Sequence, residues 1–200
     1  MPQWPPALHS LGVLWPFRKI PVGVVMRGSK VILRPPIMDD FKQWVDLRKL
    51  SRGFLEPWEP TWQVDEFNRS AFRRRIHIYN HWAMQDRSFA FFIFDLKQNL
   101  LGAVHLSHIR RGAEQAATLG YWIGKPYARQ GYMADALNLL VHHAFRDLSL
   151  HRLEAACLPR NAASKALLEK VGFTQEGYAK SYINIAGLWE DHLLFAKLAP

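Results

Sequence analysis

The run Tyr121-Trp122-Ile123-Gly124-Lys125-Pro126-Tyr127-Ala128-Arg129-Gln130-Gly131-Tyr132-Met133-Ala134 carries an apolar, strand-like segment through a basic loop into a helix-forming one. Residue types in that order make a place for an anion. The first N–H groups of a helix have no partner within it and lie at the positive end of its dipole, so a phosphate is stabilised there. Gly131 lets the backbone approach such a ligand, and Lys125 and Arg129 bring full charges beside it. A second unit follows, in which Arg152-Leu153-Glu154-Ala155-Ala156-Cys157 reads as a strand and feeds a helix-forming stretch from Asn161 to Lys170 through a polar cap. A single strand, loop and helix is equally a plain connection between packed elements; two such units in succession carry more weight.

Other candidate chemistry falls away on inspection. His77 and His81 are spaced to share one face of a helix, but no third ligand is evident, so no metal site is expected. Gly120 to Lys125 is no nucleotide P-loop, because Pro126 stands where a serine or threonine should follow the lysine. No Gly-x-Ser-x-Gly elbow occurs, which argues against a hydrolase of that kind. The one cysteine, Cys157, excludes an internal disulfide and a cysteine-rich zinc site, and its place in a predicted buried strand suits an inert thiol.

The elements that must hold these residues can be read from periodicity. A strand over 30–34 stops at Pro35-Pro36, and Asp39 is expected to cap a helix that runs to Leu50. A loop over 53–61 holds Glu56, Trp58 and Glu59, and a second helix is expected from Asp65 to Gln85. Strands over 88–96 and 100–109 join through Lys97-Gln98-Asn99, and a fourth covers 116–124. After the helix over 131–147 come the fifth strand at Arg152, the helix at Ala162, and final strands over 178–185 and 189–197. Strand and helix alternate only in the second half, so an α/β architecture with a mixed sheet and helices on both faces is predicted.

Two hundred residues, 49% of them hydrophobic and 22% charged, fit one folded domain, taken as 26–200 after a Pro- and Trp-rich arm over 1–25. Met26 is a plausible alternative initiator. No stretch approaches the ~20 apolar residues of a membrane span, so a soluble, cytoplasmic protein is expected. The net charge of +9 points to an anionic partner. The run Arg73-Arg74-Arg75, with Tyr79 and Trp82 nearby, reads either as an RNA-contacting face or as a solvated helix face.

Three segments together resemble the GCN5-related N-acetyltransferases (GNAT), and within them the RimJ/RimL branch that acetylates protein N-termini. They are Leu119-Gly120-Tyr121-Trp122-Ile123 through Leu137, Asn161 through Phe173, and the tail Glu176-Gly177-Tyr178-Ala179-Lys180-Ser181-Tyr182 with Trp189-Glu190-Asp191-His192, the last closest to RimJ-type sequences. The resemblance implies a GNAT fold: a mixed, largely antiparallel sheet of about six to seven strands with a splayed parallel pair. It implies acetyl-coenzyme A as cosubstrate, without a metal, in the cleft where the fourth and fifth strands part. The diphosphate would lie on the N–H groups of Arg129, Gln130, Gly131, Tyr132, Met133 and Ala134, and the thioester carbonyl would face a backbone N–H near Trp122 or Ile123. Asn161 would hydrogen-bond the pantetheine arm or the substrate, and Ser164 would give the leaving thiolate its proton or else cap its helix.

This chain departs from the family pattern at several positions. Ala128 and Met133 replace usual phosphate-loop residues, Leu168 stands where many relatives have a tyrosine acid, and Thr118 stands where relatives place a glutamate. Glu56 and Glu59, flanking Trp58 in the loop expected to line the acceptor groove, are the alternative bases, and Asp191 is a candidate grip for the incoming amine. The expected acceptor is the N-terminal α-amine of a ribosomal or other protein. The competing readings are a small-amine or antibiotic acetyltransferase and a non-catalytic ribosome-assembly factor that contacts rRNA through its basic face.

Overall fold

The computed structural model describes residues 23–200, so the arm expected over 1–25 lies almost wholly outside the described residues. The strands are β1 (Met26–Arg27), β2 (Val31–Arg34), β3 (Phe89–Asp95), β4 (Leu100–Arg110), β5 (Ala116–Ile123), β6 (Arg152–Cys157), β7 (Thr174–Ile185) and β8 (Leu188–Leu198). The helices are α1 (Phe41–Leu50), α2 (Arg52–Leu55), α3 (Arg69–Met84), α4 (Tyr132–Arg146) and α5 (Ala162–Lys170). One sheet holds all eight strands in the order β1-β2-β3-β4-β5-β6-β8-β7. Neighbours run antiparallel except β5 and β6, which are parallel. The strand beyond the expected number is β1, whose two residues are too few to show a period.

Both faces of the sheet are covered, which is why β3 reads as the nearly continuous apolar run Phe-Ala-Phe-Phe-Ile-Phe. On one face α4 packs Leu137, Leu140 and Val141 against Leu33, Val104, Leu106 and Leu119, and Leu168 of α5 joins the same cluster. On the other, α1 and α3 pack Trp44, Phe72 and Ile76 against Ile32, Phe92, Phe94 and Leu100. Trp44 and Phe72 meet at 5.0 Å between ring centroids, so this second layer is fixed by ring geometry as well as by burial.

Strand β7 begins at Thr174 rather than 178, and α2 with a 3-10 turn over Glu56–Trp58 occupies part of the loop expected over 53–61. Two further boundaries differ from the sequence-based expectation for a polar reason. Asp39 does not cap α1; a short 3-10 turn over Met38–Asp40 precedes it, because Asp40 accepts from the Ile37 N–H at 2.8 Å and binds Arg34 on the far side of Pro35-Pro36. Helix α3 begins at Arg69 rather than Asp65, since Asp65 and Glu66 fold back to receive Arg74 and Arg75 of that helix. Two of the three arginines in the basic run are therefore paired with carboxylates. Among the described residues no helix is long and apolar enough to cross a membrane.

Candidate active site

The parallel pairing of β5 with β6 covers only Ala116 with Arg152, Ala117 with Leu153 and Thr118 with Glu154. Past Thr118 the strands part: β5 stays paired to β4 through Ile123, and β6 stays paired to β8 through Cys157. The facing edge of Leu119 to Ile123 is left open, a slot through the sheet bordered by backbone donors and acceptors. Trp122 and Ile123, the expected oxyanion donors, lie on this open half.

At the end of β5 the chain turns through Lys125-Pro126-Tyr127 and enters α4 at Gly131, whose φ of 84° is left-handed. No side chain among the described residues caps this helix. None of the N–H groups from Arg129 to Ala134 donates to another described residue, whereas the flanking Ala128 and Asp135 N–H groups do. Six successive donors at a helix entrance fit a diphosphate, by backbone geometry that survives the unusual Ala128 and Met133. The loop is fixed from outside. Asp135 accepts from the Lys30 and Val31 N–H groups at 2.7 and 3.1 Å and from the Ser29 hydroxyl, and Lys30 Nζ donates to the Gln130 carbonyl at 3.2 Å.

Across the slot, Asn161 Oδ1 accepts from the Ser164 N–H at 3.0 Å and so caps α5. The capping role considered for Ser164 belongs to Asn161, and the Ser164 hydroxyl is free to meet the Tyr121 hydroxyl at 2.7 Å. Burial pushes the Tyr121 phenol up to about 12, against a smaller opposing effect of Ser164, so it stays protonated at neutral pH. Burial likewise raises the Cys157 thiol, and that suits an inert thiol. Leu168 is fully buried in the core beneath α5. Tyr121 was missed as a site residue in the sequence, although alternation along β5 puts it on the α5 side with Leu119 and Ile123.

The expected acceptor residues gather on the opposite side. Glu59 binds Arg48 through both oxygens at 2.7 Å and also accepts from Trp62 Nε1 at 2.7 Å. The Arg48 guanidinium lies 4.2 Å from the Trp62 ring and 4.9 Å from the Trp122 ring, which ties the segment around Glu59 and Trp62 to β5. With both oxygens engaged, Glu59 would have to release a donor to accept a proton. Glu56 pairs with Arg52 at 2.6 Å on the surface. Trp58 stacks near Arg160, which pairs with Glu190 at 2.9 Å, and the Ala186 N–H donates to the Glu59 carbonyl at 3.1 Å. The loop and the β7–β8 hairpin thus close one groove. Asp191 accepts from the Tyr178 hydroxyl and, at 2.8 Å, from the Ser181 N–H, where it fastens a bulge in β7.

Sequence and structure comparisons agree with this fold. Residues 30–174 match the model of the acetyltransferase (GNAT) domain family. The chain is 36% identical over 177 residues to the probable N-acetyltransferase YjcK of Bacillus subtilis, covering 88% of this chain and 98% of that one. It is 36% identical over 180 residues to the ribosomal protein uS5-alanine N-acetyltransferase of Escherichia coli, covering 88% and 92%. Among solved structures, the ribosomal-protein-S5-alanine acetyltransferase of Vibrio fischeri superposes with a TM-score of 0.82 at 30% identity over 88% of this chain and 96% of that one. RimJ of Mycobacterium smegmatis, solved with a coenzyme A disulfide, gives 0.81 at 32% identity over 88% and 87%.

Proposed function

The chain belongs to the GNAT acetyltransferase family, and from that premise we propose that it carries acetyl from acetyl-coenzyme A to the N-terminal α-amine of a protein, with ribosomal proteins as the acceptor class. The N–H groups of Arg129 to Ala134 hold the diphosphate, and the open edge of β5 near Trp122 and Ile123 receives the acyl arm. A backbone N–H fixed there stabilises the carbonyl oxygen as charge develops, before any reorganisation is needed. The amine attacks directly from the groove. Ser164, backed by Tyr121, returns a proton to the departing sulfur.

The state of the groove's carboxylates carries the acceptor reading. Glu56, Glu59, Glu190 and Asp191 are each engaged by a neighbouring donor: Arg52, Arg48 with Trp62, Arg160, and Tyr178 with Ser181. A site for a polycationic small amine needs free acidic groups, and this groove offers none of these four. An aromatic, hydrogen-bonding wall built from Trp58 and the β7–β8 hairpin suits a peptide end with a single charge. The relatives named for alanine N-acetylation of a ribosomal protein support the same reading.

The test is thiol release from acetyl-coenzyme A with peptides beginning Ala, Ser or Met set against small amines. Turnover of peptides alone is expected. Turnover confined to small amines would overturn the acceptor assignment, and absence of turnover with every amine would overturn catalysis itself.

A further inference from the structure

The geometry points to His105 as the group that takes the proton from the incoming amine, in place of the glutamate that this chain lacks at Thr118. The inference rests on the acetyltransferase reading above and assigns a residue to one of its steps.

His105 lies on β4 directly opposite Gly120 of β5. The imidazole leans across that glycine: a Cβ added at Gly120 would come 2.3 Å from the ring's Cε1 and 2.4 Å from its Nε2, closer than any side chain tolerates. The missing side chain is what allows the ring to cover β5, whose other edge at this level faces the slot. The bare strand position therefore brings a titratable nitrogen toward the reacting centre from the neighbouring strand.

The face is the right one. Successive residues of a strand point to opposite sides, so His105 and Gly120 face the groove with Trp122 while Tyr121 faces α5 and Ser164. A proton donor for sulfur and a proton acceptor for nitrogen thus stand on opposite sides of one strand, as a transfer through the sheet requires. His105 is exposed to solvent at its rim while its ring packs against the backbone of β5 at Gly120. Burial first, and then the charge of His108, hold its pKa below the usual value, so the ring is neutral and able to accept a proton at pH 7. The facing positions on β3 and β5, namely Ala90, Thr118, Gly120 and Trp122, carry no charge, and Arg48, which lies over the Trp122 ring, is neutralised by Glu59.

The step balances. Nε2 takes a proton from the α-ammonium and passes it to solvent, the freed lone pair forms the N–C bond, and the C–S bond breaks. The sulfur is protonated through Ser164 and Tyr121, which regain that proton from the nitrogen.

The test is the pH dependence of turnover with an Ala-initiated peptide for the wild type, His105→Gln and His105→Ala. A fall in kcat of at least about tenfold near pH 7 is expected for both variants, at the low end for a lost general base. Coenzyme A affinity and thermal midpoint should be unchanged, the loss should shrink above about pH 8 as the amine deprotonates unaided, and added imidazole should restore His105→Ala alone. Unaltered kcat and pH profile in both variants, with an active wild type, would overturn the assignment of His105 only. A wild type inactive on every amine would overturn the function and this assignment together.

Discussion

The hydroxyls of Tyr121 and Ser164 lie 2.7 Å apart, joining a strand and a helix across the mouth of the slot. Neither alone is a strong acid, and the phenol's raised pKa keeps its proton available for relay. Ser164→Ala and Tyr121→Phe should each lower kcat by about tenfold or more while leaving coenzyme A affinity intact. On the proposed relay, the double variant should be little worse than the poorer single one. Additive losses in steady-state kinetics would separate the two roles.

Gly131 enters α4 with φ at 84°, a region that a β-branched residue occupies at a cost of roughly 1–3 kcal/mol. Gly131→Val should therefore distort the row of free N–H groups and weaken coenzyme A binding by about tenfold, read by calorimetric titration. Unchanged affinity would place the diphosphate elsewhere.

The Arg48–Glu59 pair is largely withdrawn from water, with side-chain exposures of 7% and 19%. Glu59→Gln strands a buried guanidinium, for which a loss of about 3–5 kcal/mol is expected in urea unfolding. Replacing the pair together, Arg48→Met with Glu59→Leu, should cost less than the single change. Were Glu59 instead a free base, the single variant would lose turnover and keep its stability.

Burial would raise the Glu154 carboxyl, but Arg152 and Arg110 outweigh it and hold the group below the usual glutamate range. A carboxyl depressed in the folded state stabilises fully above its unfolded pKa of about 4.3, and that stabilisation is lost as pH falls through the folded value. The thermal midpoint should therefore drop between roughly pH 5 and pH 3. Glu154→Gln should flatten that part of the curve, and a parallel curve for the variant would exclude this group.

The local features of the site were legible because they follow from consecutive residues. The strand–loop–helix around Gly131 and the polar start of α5 both appear where periodicity and residue type put them. What escaped depends on partners distant in sequence. Arg48 looks like any charged residue of an amphipathic helix until Glu59, Trp62 and Trp122 close around it. Asp65 looks like a helix start, but two arginines on the following helix draw it and Glu66 out of helical geometry. His105 carries no local signal at all, since its position is defined by a glycine on another strand.

Asp135 grips the turn between β1 and β2 through three donors, and Lys30 from that turn holds the Gln130 carbonyl in return. The two ends of this clasp belong to the opening hairpin and to the loop proposed to hold the diphosphate, so they must tighten or loosen as one. A fluorophore attached beside Ser29 would then report donor loading from outside the catalytic channel, and a pull exerted upstream of Gly28 would be felt at the diphosphate before it reached the acetyl group.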